Sequence, residues 1–118
     1  MLSFSEALQL VKIGKRDMAT TMLREEFGKL QSPEQRVELC KWIAVCFEGL
    51  EDYNSAGEWH EMAGFLSLTQ TSSDVANAMR ALPEYQKARL CYSNCEDDER
   101  AGVCATMIDQ LNHAFAAA

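Results

Sequence analysis

Apolar residues recur along this chain at spacings of three and four, and no segment alternates as a half-buried strand would. The clearest run is Ala101, Cys104, Ile108, Leu111 and Phe115, stepping by 3, 4, 3 and 4. That rhythm puts all five side chains on one face of a helix. The same rhythm appears earlier in Phe4, Ala7, Leu8 and Val11, then in Ala19, Met22, Leu23, Phe27 and Leu30. It continues in Val37, Cys40, Ile43, Ala44 and Phe47, in Ala56, Trp59, His60, Ala63 and Leu66, and in Tyr85, Ala88, Cys91, Tyr92 and Cys95.

Start and stop signals divide these stripes into helices. Ser3 and Glu6 have the spacing of a capping box, and Gly14 closes the first helix. Asp17 caps the second, which runs to about Leu30. In "SPEQ", Ser32 is a cap, Pro33 takes the first helical position and Gln35 the third, and Gly49 ends that helix. Asp52 caps the next one, in which Gly57 and Gly64 imply the close approach of another backbone. "SLTQTSSD" is a polar loop with Ser73 or Asp74 as the following cap. Residues 74–82 then form a short helix, and Pro83 either opens another one or kinks a longer one. Asp97 or Asp98 caps the last helix. The expectation is an all-α domain of six or seven helices, with short connections that make neighbours antiparallel.

Composition narrows this picture. The chain has 118 residues, enough for one domain, and 47 % are hydrophobic, enough for one core. Its formal charge is −7, and its eleven basic residues form no run. Nucleic-acid binding is therefore not expected, because phosphate contacts need a basic face. No apolar run approaches the ~18–20 residues of a membrane span, and the first residues lack the features of a secretory signal. The expected compartment is the cytoplasm. There the five cysteines, Cys40, Cys46, Cys91, Cys95 and Cys104, read as reduced thiols.

Consecutive helical hairpins invite a search for repeats. Ile43, Ala44, Phe47, Tyr53, Ala56 and Ala63, with His60 at a large packing position, resemble a tetratricopeptide repeat, a helix–turn–helix unit of about 34 residues. The resemblance covers about residues 36–66. Ala44 and Ala56 match the small residues where two helices cross, and Leu68 stands where the family often has its closing proline. Upstream, at an offset of 37, Ala7, Leu10, Ala19 and Leu23 take the places of Ala44, Phe47, Ala56 and His60. Downstream, at an offset of 45, Tyr92, Ala101 and Ala105 take the places of Phe47, Ala56 and His60. The resemblance implies a short right-handed superhelix of stacked hairpins that binds another protein, as an adaptor or small chaperone.

Candidate chemistry is sparse. His60, between Glu58 and Glu61, has no second His four residues on, so "EWHEMAG" is not a helical zinc-protease motif, and a packing role is expected. Cys91, Cys95, Cys104 and His113 carry soft ligand atoms on two successive helices and form the alternative reading, a metal- or redox-responsive protein. "EDDE", Glu96 to Glu99, lacks calcium-loop spacing and reads as a helix start. Nothing implies a cofactor, a resident metal or catalysis. The expected function is the binding of a peptide or helix of a partner protein. Arg36, Leu39, Trp42 and Val45, off the core stripe of the helix from Pro33, are the candidate contacts. Self-association as a homodimer is a further alternative, since open ends of a short stack leave apolar surface to cover.

Overall fold

The computed structural model describes residues 13–29 and 32–117, together with Glu6, Gln9 and Leu10. These contain five helices: α1 (Arg16–Lys29), α2 (Pro33–Gly49), α3 (Tyr53–Ser67), α4 (Asp74–Asn94) and α5 (Asp98–Ala117). No strand occurs among the described residues. The count differs from the expected six or seven for two reasons. The helix expected from Ser3 falls outside the described residues except at Glu6, Gln9 and Leu10. Residues 74–94 form one helix that runs through Pro83. Pro83 lies on the exposed side of α4. The carbonyl of Met79, which loses its i+4 donor there, belongs to a residue that is itself exposed, so water can replace the missing bond.

Side-chain caps fix where the helices begin. Ser32 Oγ accepts from the backbone N–H of Gln35 at 3.4 Å, and Asp52 Oδ1 from that of Ser55 at 3.3 Å. Ser73 Oγ accepts from Ala76 N–H at 3.2 Å, and Asp97 Oδ1 from Arg100 N–H at 3.1 Å. Each removes one orphan donor from a helix start. The α3–α4 loop is held by buried Asn77. Its amide donates to the carbonyls of Leu68 and Thr71, both at 2.9 Å, and its Oδ1 accepts from the Thr71 N–H and hydroxyl at 3.0 and 2.8 Å.

The helices pack in sequence order, α2 on α3, α3 on α4 and α4 on α5. They form two antiparallel hairpins, α2–α3 and α4–α5, on one plan with a 45-residue step. Cys40, Ile43, Phe47, Ala56, Trp59 and Ala63 are buried in the first hairpin. Tyr85, Ala88, Tyr92, Ala101, Cys104 and Ile108, each 45 positions later, are buried in the second. The turns repeat as well. Glu51 and Glu96 both take left-handed backbone, at φ 60° and 61°. The following N–H groups, of Asp52 and Asp97, bond back to the carbonyls of Phe47 and Tyr92 at 2.9 and 2.8 Å.

The seam between the hairpins lies between α3 and α4, and there the glycines of α3 have a use the sequence does not reveal. They admit side chains rather than a backbone. A Cβ at Gly57 would meet Tyr92 Cε1 at 2.8 Å, and one at Gly64 would meet Tyr85 Cε2 at 2.8 Å. Both the glycine pair and the tyrosine pair are seven residues apart, two turns of helix, so the rings of α4 settle into two successive gaps of antiparallel α3.

Candidate functional site

Buried in the same seam is a polar cluster. His60, on α3, is 1 % exposed, and Glu84, on α4, is 2 % exposed. The Nδ1 of His60 lies 3.0 Å from Glu84 Oε1. Its Nε2 contacts Glu48 Oε1, from the last turn of α2. The thiol of Cys91, two turns along α4 from Glu84, donates to Glu48 Oε1 at 3.6 Å. Lys87 Nζ reaches Glu84 Oε2 at 3.3 Å from the solvent side. Three helices therefore converge on one imidazole.

The electrostatics follow from burial and pairing. Burial alone would push the Glu84 carboxyl up. The hydrogen bond from His60, the Lys87 ammonium and the charge of His60 together outweigh it and hold Glu84 below the ordinary carboxylate range. A carboxylate can only accept, so His60 Nδ1 donates to the ionised Glu84. The buried Glu84 carboxylate is thus paired on one oxygen with His60 and on the other with Lys87, which is what tolerates its burial. Burial pushes the Cys91 thiol up to about 12, with the Glu48 charge and hydrogen bond adding to the effect. Cys40, also buried and close to Glu84, is pushed up to about 12.

Glu48 Oε1, His60 Nε2 and Cys91 Sγ lie within 4.8 Å of one another, a grouping that can hold a metal ion. This is not the set expected from the cysteine spacing. Cys91 faces α2 and α3, in the first core cluster, whereas Cys104 sits in the second. Cys95 closes α4, is exposed and donates to the carbonyl of Tyr92 at 3.4 Å. His113 is exposed, with Nδ1 against the Asp109 carbonyl at 2.7 Å. Cys91, Cys95, Cys104 and His113 are thus not gathered in one place. His60 does occupy a packing position, as expected, and it also gathers acidic partners from the helices on both sides.

A second feature lies beside the seam. α3 and α5 flank a groove of about 530 Å³ that Tyr85 and Tyr92 of α4 also line. Its walls carry Met62, Phe65 and Val103, exposed by 43, 63 and 58 %. At one end Arg100 pairs with Glu58 at 2.8 Å and lies over the Tyr92 ring, 5.6 Å from its centroid. Tyr92 donates its hydroxyl to Glu61 at 2.7 Å. Burial, with that bond behind it, raises the Tyr92 phenol, and burial pushes the Tyr85 phenol up to about 12.

The expected partner contacts on α2 divide in two. Trp42 and Val45 are exposed by 55 and 51 %. Leu39 is half-buried against the first core cluster, and Arg36 stacks its guanidinium over Phe27, 5.5 Å from the ring centroid. Among the described residues no helix is long and apolar enough to cross a membrane. No protein-family model, curated protein or solved structure matches the chain.

Proposed function

We propose that this chain is a cytoplasmic, non-catalytic interaction module, a short tetratricopeptide-like stack of hairpins that holds an amphipathic helix of a partner protein in the groove between α3 and α5. The observation that carries the reading is the groove itself. Met62, Phe65 and Val103 stand exposed on two helices that flank a groove also lined by Tyr85 and Tyr92 of α4. Single exposed apolar residues need no explanation, but a lined groove does. A helix laid along it would bury those side chains by the i, i+3, i+4 pattern of helix-in-groove recognition, and methionine adapts its shape to such ligands. The repeated core positions of the two hairpins support the stacked-repeat reading. The chain's charge of −7 favours a partner helix with basic flanks.

The test is affinity purification from the native cell, followed by crosslinking of whatever is recovered in stoichiometric amount. The expected result is a partner crosslinked to α3 and α5, lost with Phe65→Asp and retained with Trp42→Ala. Retention with Phe65→Asp and loss with Trp42→Ala would move the interface to α2 and overturn the groove assignment. A partner-free protein whose dimer dissociates with Phe65→Asp would make the occupant a second copy of this chain.

A further inference from the structure

We propose that Glu48, His60 and Cys91 form a zinc site, with Glu84 as the residue that orients the histidine and with a fourth coordination position open to solvent. The inference is independent of the groove and holds whether or not that groove has an occupant.

Four observations carry it. The first is the ligand set. Carboxylate oxygen, imidazole nitrogen and thiol sulfur together suit zinc, a borderline-soft ion that takes all three. Tetrahedral zinc with bonds of about 2.0–2.3 Å needs its ligand atoms roughly 3.2–3.7 Å apart. Glu48 Oε1 and Cys91 Sγ are already 3.6 Å apart, and all three ligand atoms lie within 4.8 Å of one another. The second is the outer partner. The Nδ1 of His60 lies 3.0 Å from the Glu84 carboxylate. A carboxylate there fixes the proton on Nδ1 and turns Nε2, the other nitrogen, toward the ion, as metal-bound histidines require. Lys87 in turn holds the second oxygen of Glu84.

The third is a local rule that Glu48 breaks. It sits in the last turn of α2, at the negative end of the helix dipole, in a turn that has no basic residue. An anion there is unfavourable by itself and favourable beside a cation. The fourth is access. A cavity of about 290 Å³, walled by Tyr53, Lys87, Leu90 and Asn94, opens onto Glu48 and Cys91. It leaves room for a water, or for a donor group from another molecule, at the remaining position.

A thiolate, not a thiol, ligates zinc, so the thiol proton of Cys91 leaves to solvent when the ion binds. The lone pair of His60 Nε2 and a carboxylate oxygen of Glu48 complete the protein's share of the ligands.

Cobalt(II), a spectroscopic stand-in for zinc, provides the test on the full chain after removal of metals with a chelator. The expected result is a thiolate-to-cobalt charge-transfer band that saturates at one equivalent, is abolished by added zinc, and is accompanied by proton release into a weak buffer. Cys91→Ser should lose the band, whereas Cys104→Ser should keep it. Glu48→Gln, half-exposed and so compatible with folding, should weaken zinc binding at least tenfold. Glu84→Gln should weaken it about 10–100-fold while leaving the visible spectrum unchanged, which a merely structural role would not do. Circular dichroism establishes that each variant is helical. No band in the wild-type protein, or a band that survives in folded Cys91→Ser, would overturn the assignment.

Discussion

The ring of Tyr92 fills the space where Gly57 has no side chain, and a methyl group there would stand 2.8 Å from the ring. The ring cannot yield easily, since Tyr92 is fully buried and its hydroxyl is held by Glu61. In an exposed helix, Gly→Ala gains about 1 kcal/mol from propensity. Here overpacking costs about 1–3 kcal/mol and outweighs that gain. Gly57→Ala and Gly64→Ala should each lower stability, by about 1 kcal/mol net. Gly102→Ala, with nothing within 4 Å of the added atom, should raise it. Urea denaturation of the three variants checks the opposite signs, and a stabilised Gly57→Ala would disprove the tight packing.

The depressed Glu84 carboxyl links stability to acid. A carboxyl whose folded value lies below its ordinary 4.5 contributes stability that is complete above that pH and is lost as pH falls through the lower folded value. Glu84→Gln removes this dependence along with one partner of a buried pair, a change that costs about 3 kcal/mol at neutral pH. Thermal melts taken from neutral pH down through the carboxylate range should show a lower but flatter curve for the variant. Parallel curves would exclude Glu84 as a source of the acid sensitivity.

Thiol chemistry should separate the cysteines. Burial pushes Cys40 and Cys91 up to about 12 and Cys104 up to about 11, from an ordinary 9.0. At neutral pH those thiols carry about a hundredfold to a thousandfold less thiolate than an ordinary cysteine. Exposed Cys95 should therefore react with an alkylating reagent well before Cys40, Cys91 or Cys104. Mass spectrometry of the labelled peptides gives the order, and Cys104 labelling as fast as Cys95 in the native protein would contradict it.

Glu51 and Glu96 hold left-handed backbone at φ 60° and 61° without being glycine. That conformation costs a side-chain-bearing residue about 1–2 kcal/mol. Part of the relief on substitution is cancelled by the greater freedom of glycine in the unfolded chain. Glu51→Gly and Glu96→Gly should each stabilise by about 0.5–1 kcal/mol. Calorimetry on the single and double variants would show additive gains, since the turns belong to different hairpins. Loss of stability in both would mean that the glutamates make compensating contacts.

What the sequence discloses here is what is local. Ser32, Asp52, Ser73 and Asp97 act within one turn of the helices they start, so their residue types alone mark the caps. The seam of α5 is legible for the same reason. Pro83 leaves two readings open, a new helix or one longer helix, because its effect depends on whether the freed carbonyl meets water, and only the fold puts it on the solvent side. The polar cluster is hidden by distance along the chain. His60 is 12 residues from Glu48 and 24 from Glu84, and Glu48 is 43 from Cys91. One signal was available. His60 lies on the apolar stripe of its helix, and Glu84 shares a helical face with Ala88 and Cys91 on the next one. Opposite charge potential on the inner faces of adjacent helices is a pattern that spacing can detect.

The 45-residue step also sets the outer face of α5 against that of α3. It carries Gly57 to Gly102, His60 to Ala105 and Gly64 to Asp109. On α3 these positions receive the next hairpin through two aromatic rings and a shared imidazole. On α5 the first gap persists, open and exposed, but a carboxylate occupies the second, and both Gly102 and Asp109 face solvent. A further helix of the same design could seat one ring and would have to desolvate a charge to seat the other. Asp109 thus sets a charge on the outer face of α5 at the position where α3 leaves a gap for a ring.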